Sequence, residues 1–175
     1  MELLAGGRRR MDRVLDPAFV ADMGDIAVEE LRERRDMARQ EEADLSYLRR
    51  MLQGRIEIVG AELVSDEADS DQSLVDRLTS VLTLSVPSQG GQARVTQEPT
   101  RMEENQRYAE RLVADVGLSA SARVDGEQAA LVLRRLKQEE RSVSELRAQV
   151  HDVIHALTME LGNRYRTGEA APPAS

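Results

Sequence analysis

Ten side chains carry the chemistry this sequence offers. Glu42, Ser46, Arg49, Gln53 and Glu57 step by 4, 3, 4 and 4. On a helix such spacing lines them up as one polar stripe about 22 Å long. Glu140, Ser144, Arg147, His151 and His155 repeat the same steps at an offset of 98. Arginine presents a planar fork suited to a phosphate or to the O6/N7 edge of guanine. Serine donates without crowding, glutamine both donates and accepts, and a carboxylate accepts from guanine N1–H and N2–H. Together these groups suit a guanine nucleotide. The plainer reading is that charged residues beside a helix seam are ion pairs that set register.

Both stripes lie one residue beyond an apolar seam. Leu45, Leu48, Leu52, Ile56, Val59 and Leu63 step by 3, 4, 4, 3 and 4, which is coiled-coil spacing. At the same offset they fall on Val143, Leu146, Val150, Ile154, Leu157 and Leu161. Two generic coiled-coil helices can be slid into such a match, so the polar residues are the stronger test. Glu42 meets Glu140, Ser46 meets Ser144 and Arg49 meets Arg147. Packing requires none of these identities, so the repeat reads as a duplicated function as well as a duplicated scaffold.

The elements that position the stripes follow from the punctuation of the chain. Residues 1–16 read as a polar tail; Met11 is an alternative start that would make the preceding arginines incidental. Asp16-Pro17 signals a short helical turn through Phe19, Val20 and Met23, ending at Gly24. That apolar piece either caps the end of the coiled coil or offers an edge to a partner helix. Asp25 is placed to cap a long helix from Ile26 to about Ser65, which together with the turn makes a 17–65 segment. Residues 66–125 read as a linker with short helices over 72–84 and 102–114, interrupted by a loop between Pro87 and Pro99. A second long helix runs over 126–164 with its apolar stripe ending at Leu161, just before Gly162, and 165–175 is a disordered tail. The fold expected is all-α: an antiparallel two-helix coiled coil, a shorter N-terminal helix and a long, partly helical linker.

Composition agrees with that architecture. Among 175 residues there is no cysteine, no tryptophan and only 2% aromatic side chains, too few rings for a conventional globular core. The absence of cysteine excludes thiol nucleophiles, disulfides and thiolate metal sites. A net charge of −8 argues against a general nucleic-acid coat, and no apolar run is long enough to span a bilayer. Without a secretory h-region at Met1–Arg10, a cytoplasmic protein is expected. His151 and His155 have the i, i+4 spacing of a zinc pair but lack a third ligand, and Arg147 sits one turn away. No nucleophile–base pair or phosphate-cradling glycine loop supports catalysis, so no enzyme activity and no metal are expected.

The pattern Glu42-x3-Ser46-x2-Arg49-x3-Gln53-x3-Glu57 resembles the E-x3-S-x2-R-x3-Q-x3-D signature of the RsiG family, actinobacterial anti-sigma factors that bind cyclic di-GMP. Residues Leu45 to Val59 (LSYLRRMLQGRIEIV) are similar too, and the likeness covers roughly 16–65 and 126–162. It implies an antiparallel coiled coil holding a pair of intercalated cyclic di-GMP molecules, and sequestration of a WhiG-like sigma factor in the loaded form. By that resemblance Arg49 and Glu57 would read guanine, while Glu42, Ser46 and Gln53 would complete the contacts and orient the arginine. Glu140, Ser144 and Arg147 would do the same on the second helix. The first copy departs from the signature in having Glu57 for Asp. The second has His151 for Gln and His155 for Asp, and a neutral imidazole cannot replace a carboxylate clamp on guanine. The expected function is an anti-sigma factor that inhibits transcription, without contacting DNA or a membrane itself. The alternative is a structural coiled-coil adaptor without a small ligand.

Overall fold

A computed structural model describes residues 9–67, 97–114 and 126–169. They form five helices and no strand: α1 (Arg10–Val14), α2 (Ala18–Ala21), α3 (Val28–Glu67), α4 (Met102–Ala114) and α5 (Gly126–Thr167). The all-α expectation therefore holds, with the two long helices of 40 and 42 residues carrying both polar stripes. Helices of this length need a packed face to persist. The seam residues Leu48, Leu52, Val143, Val150 and Leu157 supply it, all at most 1% exposed. The expected helix at 102–114 is α4; the one at 72–84 and the glycine-containing loop before Pro99 lie outside the described residues. No helix among the described residues is long and apolar enough to cross a membrane.

The contacts divide the chain into two compact units. The first comprises residues up to Tyr47, Gln97–Arg101 and residues from Ser142 onward. Within it α3 and α5 run antiparallel: Glu42 meets Arg147, while Arg32, earlier in α3, meets Tyr165, later in α5. The α2–α3 corner is tied by cations. Arg34 donates to the Phe19 carbonyl and to Asp22 and Glu30, with its guanidinium 5.7 Å from the Phe19 ring centre. Arg164, 7% exposed, donates to the carbonyls of Met23 and Ile26.

Several boundaries differ from expectation, each for a local reason. Residues 9–16 are not a simple polar tail, because Met11 and Val14 bury their side chains from α1. The arginines before Met11 are engaged as well: Arg9 grips Asp12, and Arg10 reaches Glu41 and Asp44. Asp25 does not cap α3. The helix opens at Val28, and the Ala27 carbonyl accepts the Leu31 N–H. At the other end α5 passes through Gly162 to Thr167, so 165–167 belong to the helix and not to a tail. A glycine inside a helix costs about 1 kcal/mol, which the burial of Leu161 and Arg164 on either side offsets. The stop is Gly168, whose φ of 79° lets the Glu169 N–H close on the Arg164 carbonyl.

A buried ionic cluster fastens Thr100 and Arg101 to α3. Glu41 and Asp44, both 1% exposed, receive Arg10 and Arg101. Asp44 also accepts the Thr100 hydroxyl (3.0 Å) and the backbone N–H groups of Thr100 (2.6 Å) and Arg101 (3.1 Å). Burial pushes the Asp44 carboxyl up, but hydrogen bonds from the Arg101 backbone and guanidinium and from Thr100 outweigh it and hold the group below its ordinary value.

The second unit draws on α3 from Leu48, on α4 and on α5 up to Arg141. Leu48, Leu52 and Val59 are its buried residues on α3, and Ala129, Val132 and Leu136 those on α5. Tyr108 of α4 donates its hydroxyl to Glu139 at 3.0 Å.

Candidate functional site

Each unit contains one hub, and each hub is a glutamate of one stripe held by the arginine of the other. In the first unit Glu42 Oε1 accepts the Ser46 hydroxyl at 2.7 Å and Arg147 Nη1 at 3.2 Å. His151 Nε2 lies 3.3 Å from the same oxygen. In the second unit Glu140 Oε1 accepts Arg49 Nε at 3.1 Å and Gln53 Nε2 at 3.3 Å. The resemblance implies that Glu42, Ser46 and Gln53 orient Arg49. In the structure Arg49 and Gln53 meet Glu140, and Arg147 and His151 meet Glu42. The antiparallel register is the cause, since it sets the start of one stripe against the middle of the other.

The rest of the ten residues divide. Ser144 is half-buried within its stripe, whereas Glu57 and His155 are exposed at the far ends. The hub arginines are partly open, with side chains 34% exposed for Arg49 and 30% for Arg147. Arg147 Nε is a buried donor with no hydrogen-bond partner. A partly exposed guanidinium anchored on a carboxylate suits a phosphate or a guanine edge. No group of three His, Cys, Asp or Glu side chains suited to a metal occurs among the described residues.

Two further residues share the flank of the stripes and were missed. Glu41 and Glu139 occupy matching positions at the same offset. Glu41 is bound by Arg10 and Arg101, Glu139 by Tyr108. Their signal was present, because Gln-Glu-Glu occurs at 40–42 and again at 138–140. A basic residue also precedes each hub by three positions, Arg39 before Glu42 and Lys137 before Glu140.

The family model of RsiG-like proteins matches residues 17–82. Over these residues the chain is similar to RsiG-like proteins. The match takes in α2, α3 and the whole first stripe from Glu42 to Glu57, and it stops before the second. RsiG-like proteins are regulators of anti-sigma-factor type and are not a known enzyme family. No curated protein matches the chain. The family match thus covers the first stripe alone, and Glu140, Arg147 and His151 of the second stripe are joined to it by the hub contacts.

Proposed function

We propose that this RsiG-like chain is a cyclic di-GMP-responsive anti-sigma factor that sequesters a WhiG-like sigma factor in the cytoplasm. The observation that carries the reading is the repeated hub: in each unit an arginine fork and a second polar side chain converge on one glutamate. A guanine edge can take the place of these donors on the carboxylate through N1–H and N2–H. The guanidinium, so relieved, can turn its fork to a phosphate or to O6/N7. Two hubs suit a pair of ligand molecules. With only 2% aromatic residues in the chain, the bases stack on each other or on guanidinium planes rather than on rings. The net charge of −8 complements a basic, promoter-reading surface on the sigma factor. If ligand and sigma factor favour the same form, each tightens the other by the same factor.

Arg49→Ala tests the reading. Loss of a charge-assisted fork corresponds to about 10- to 100-fold weaker cyclic di-GMP binding by calorimetry. Helix content stays near that of the wild type, because Arg49 lies off the seam and is one-third exposed. The adaptor reading draws on the same ion pairs, since Arg49–Glu140 and Arg147–Glu42 are of the kind that set register. It predicts no heat with cyclic di-GMP, with or without the sigma factor, and a shift in pairing or stability for Arg49→Ala.

A further inference from the structure

We infer that His151 makes the Glu42 hub proton-sensitive, so that the ligand reading proposed above carries a built-in dependence on pH from one hub and not from the other. Three atoms form a nearly equilateral triangle. His151 Nε2 is 3.3 Å from Glu42 Oε1 and 3.2 Å from Arg147 Nη1, and Nη1 is itself 3.2 Å from Oε1. One ring nitrogen holds either a lone pair or a proton, so it accepts from Arg147 or donates to Glu42, never both. With a lone pair at Nε2, Arg147 bridges two acceptors and is drawn into the hub. With a second proton on the ring, imidazolium takes Glu42 and repels the guanidinium. Arg147 Nη1, released from the hub, is then free to face an anion.

The surrounding charges point the same way. On α3 the ring meets Glu42, which also accepts the Ser46 hydroxyl, and Arg39 and Arg35 continue that stripe toward the N-terminus, Arg35 being paired with Asp36. On α5 its neighbours are Arg147, Asp152 and His155. Glu42 and Arg147 cancel each other, so protonating His151 turns a neutral hub into one with a positive charge. A cyclic dinucleotide, with its two phosphodiesters, favours that form. The matching residue at the other hub is Gln53, whose amide donates to Glu140 at 3.3 Å and does not titrate in this range. The departure of the second copy from the first at this position thus acquires a physical consequence.

Calorimetry with cyclic di-GMP at about pH 6 and pH 8, the interval over which histidine changes charge, decides the matter on the full chain. Wild-type protein is expected to bind about 3- to 10-fold tighter at the lower pH; one linked proton permits no more than about tenfold per pH unit. His151→Gln, which installs the residue type of the other hub, is expected to bind with one affinity at both pH values. Gln53→His, which sets an imidazole beside Glu140, is expected to steepen the dependence. Binding by the wild type without pH dependence overturns the proton link and leaves the ligand reading standing. A slope that survives in His151→Gln overturns the assignment to this residue, and absence of binding at both pH values overturns the ligand reading and the link with it. Circular dichroism of each variant at both pH values separates these outcomes from unfolding.

Discussion

Leu52→Asp is expected to abolish the helical circular-dichroism signal of α3 and α5 at temperatures where the wild type is folded. Leu52 is fully buried on the seam face of the second unit. Truncating a buried leucine to alanine costs about 2–5 kcal/mol, and an aspartate in its place adds the penalty of a buried carboxylate without a partner. Against a total stability of about 5–15 kcal/mol for an ordinary domain, that is enough to unfold the helix pair. Because helices of 40 residues do not persist without a packed face, secondary structure goes with the tertiary contacts. Thermal melts of Leu52→Asp beside Arg49→Ala check this. Their effects are expected to differ in kind, one destroying the fold and the other weakening only ligand binding. A folded Leu52→Asp protein overturns the seam as the source of stability.

Asp44→Ala is the second large effect, because Asp44 is the anchor for segments far apart in sequence. Arg10 comes from 34 residues upstream and Arg101 from 57 residues downstream. Removing one partner of a buried charge cluster costs about 3–5 kcal/mol, since the remaining charges are left without compensation. Urea unfolding followed by circular dichroism gives the size of the loss. Asp44→Asn separates charge from shape: it keeps the volume but loses the anion that two guanidinium groups and two backbone N–H groups share. The pH dependence has a definite sign. The carboxyl of Asp44 is held below its ordinary value in the folded protein. Its contribution is therefore fully present above the unfolded value, near pH 4, and is lost as the pH falls through the folded value. The wild type is expected to lose stability on acidification below about pH 4 more steeply than Asp44→Asn. Equal slopes overturn the charged state of Asp44 as the source of its contribution.

How much of this was legible in the chain can be judged from particular residues. The seam of Leu45, Leu48, Leu52 and Val59, and its second copy, could be read directly, because helical periodicity is a property of neighbours three and four apart. All four are buried. The helix limits were read less well. Gly162 looked like a stop, yet α5 runs five residues past it. What overrides the glycine is Arg164 reaching the carbonyls of Met23 and Ile26, about 140 residues away. Likewise nothing local in Met1–Asp16 announces that Arg10 has two buried carboxylates waiting on α3.

By itself the sequence determined that this is a chain of long helices with a duplicated Glu–Ser–Arg stripe beside a duplicated seam. Those facts depend only on residue types and short spacings. The tertiary structure decided which glutamate meets which arginine. Arg49 goes to Glu140 and Arg147 to Glu42, each across 91 or 105 residues of chain. A stripe records the order of its groups along one helix, whereas partners across a coiled coil are set by direction and register. Those are fixed by packing of the whole seam and by anchors such as Asp44, which no window of neighbouring residues contains.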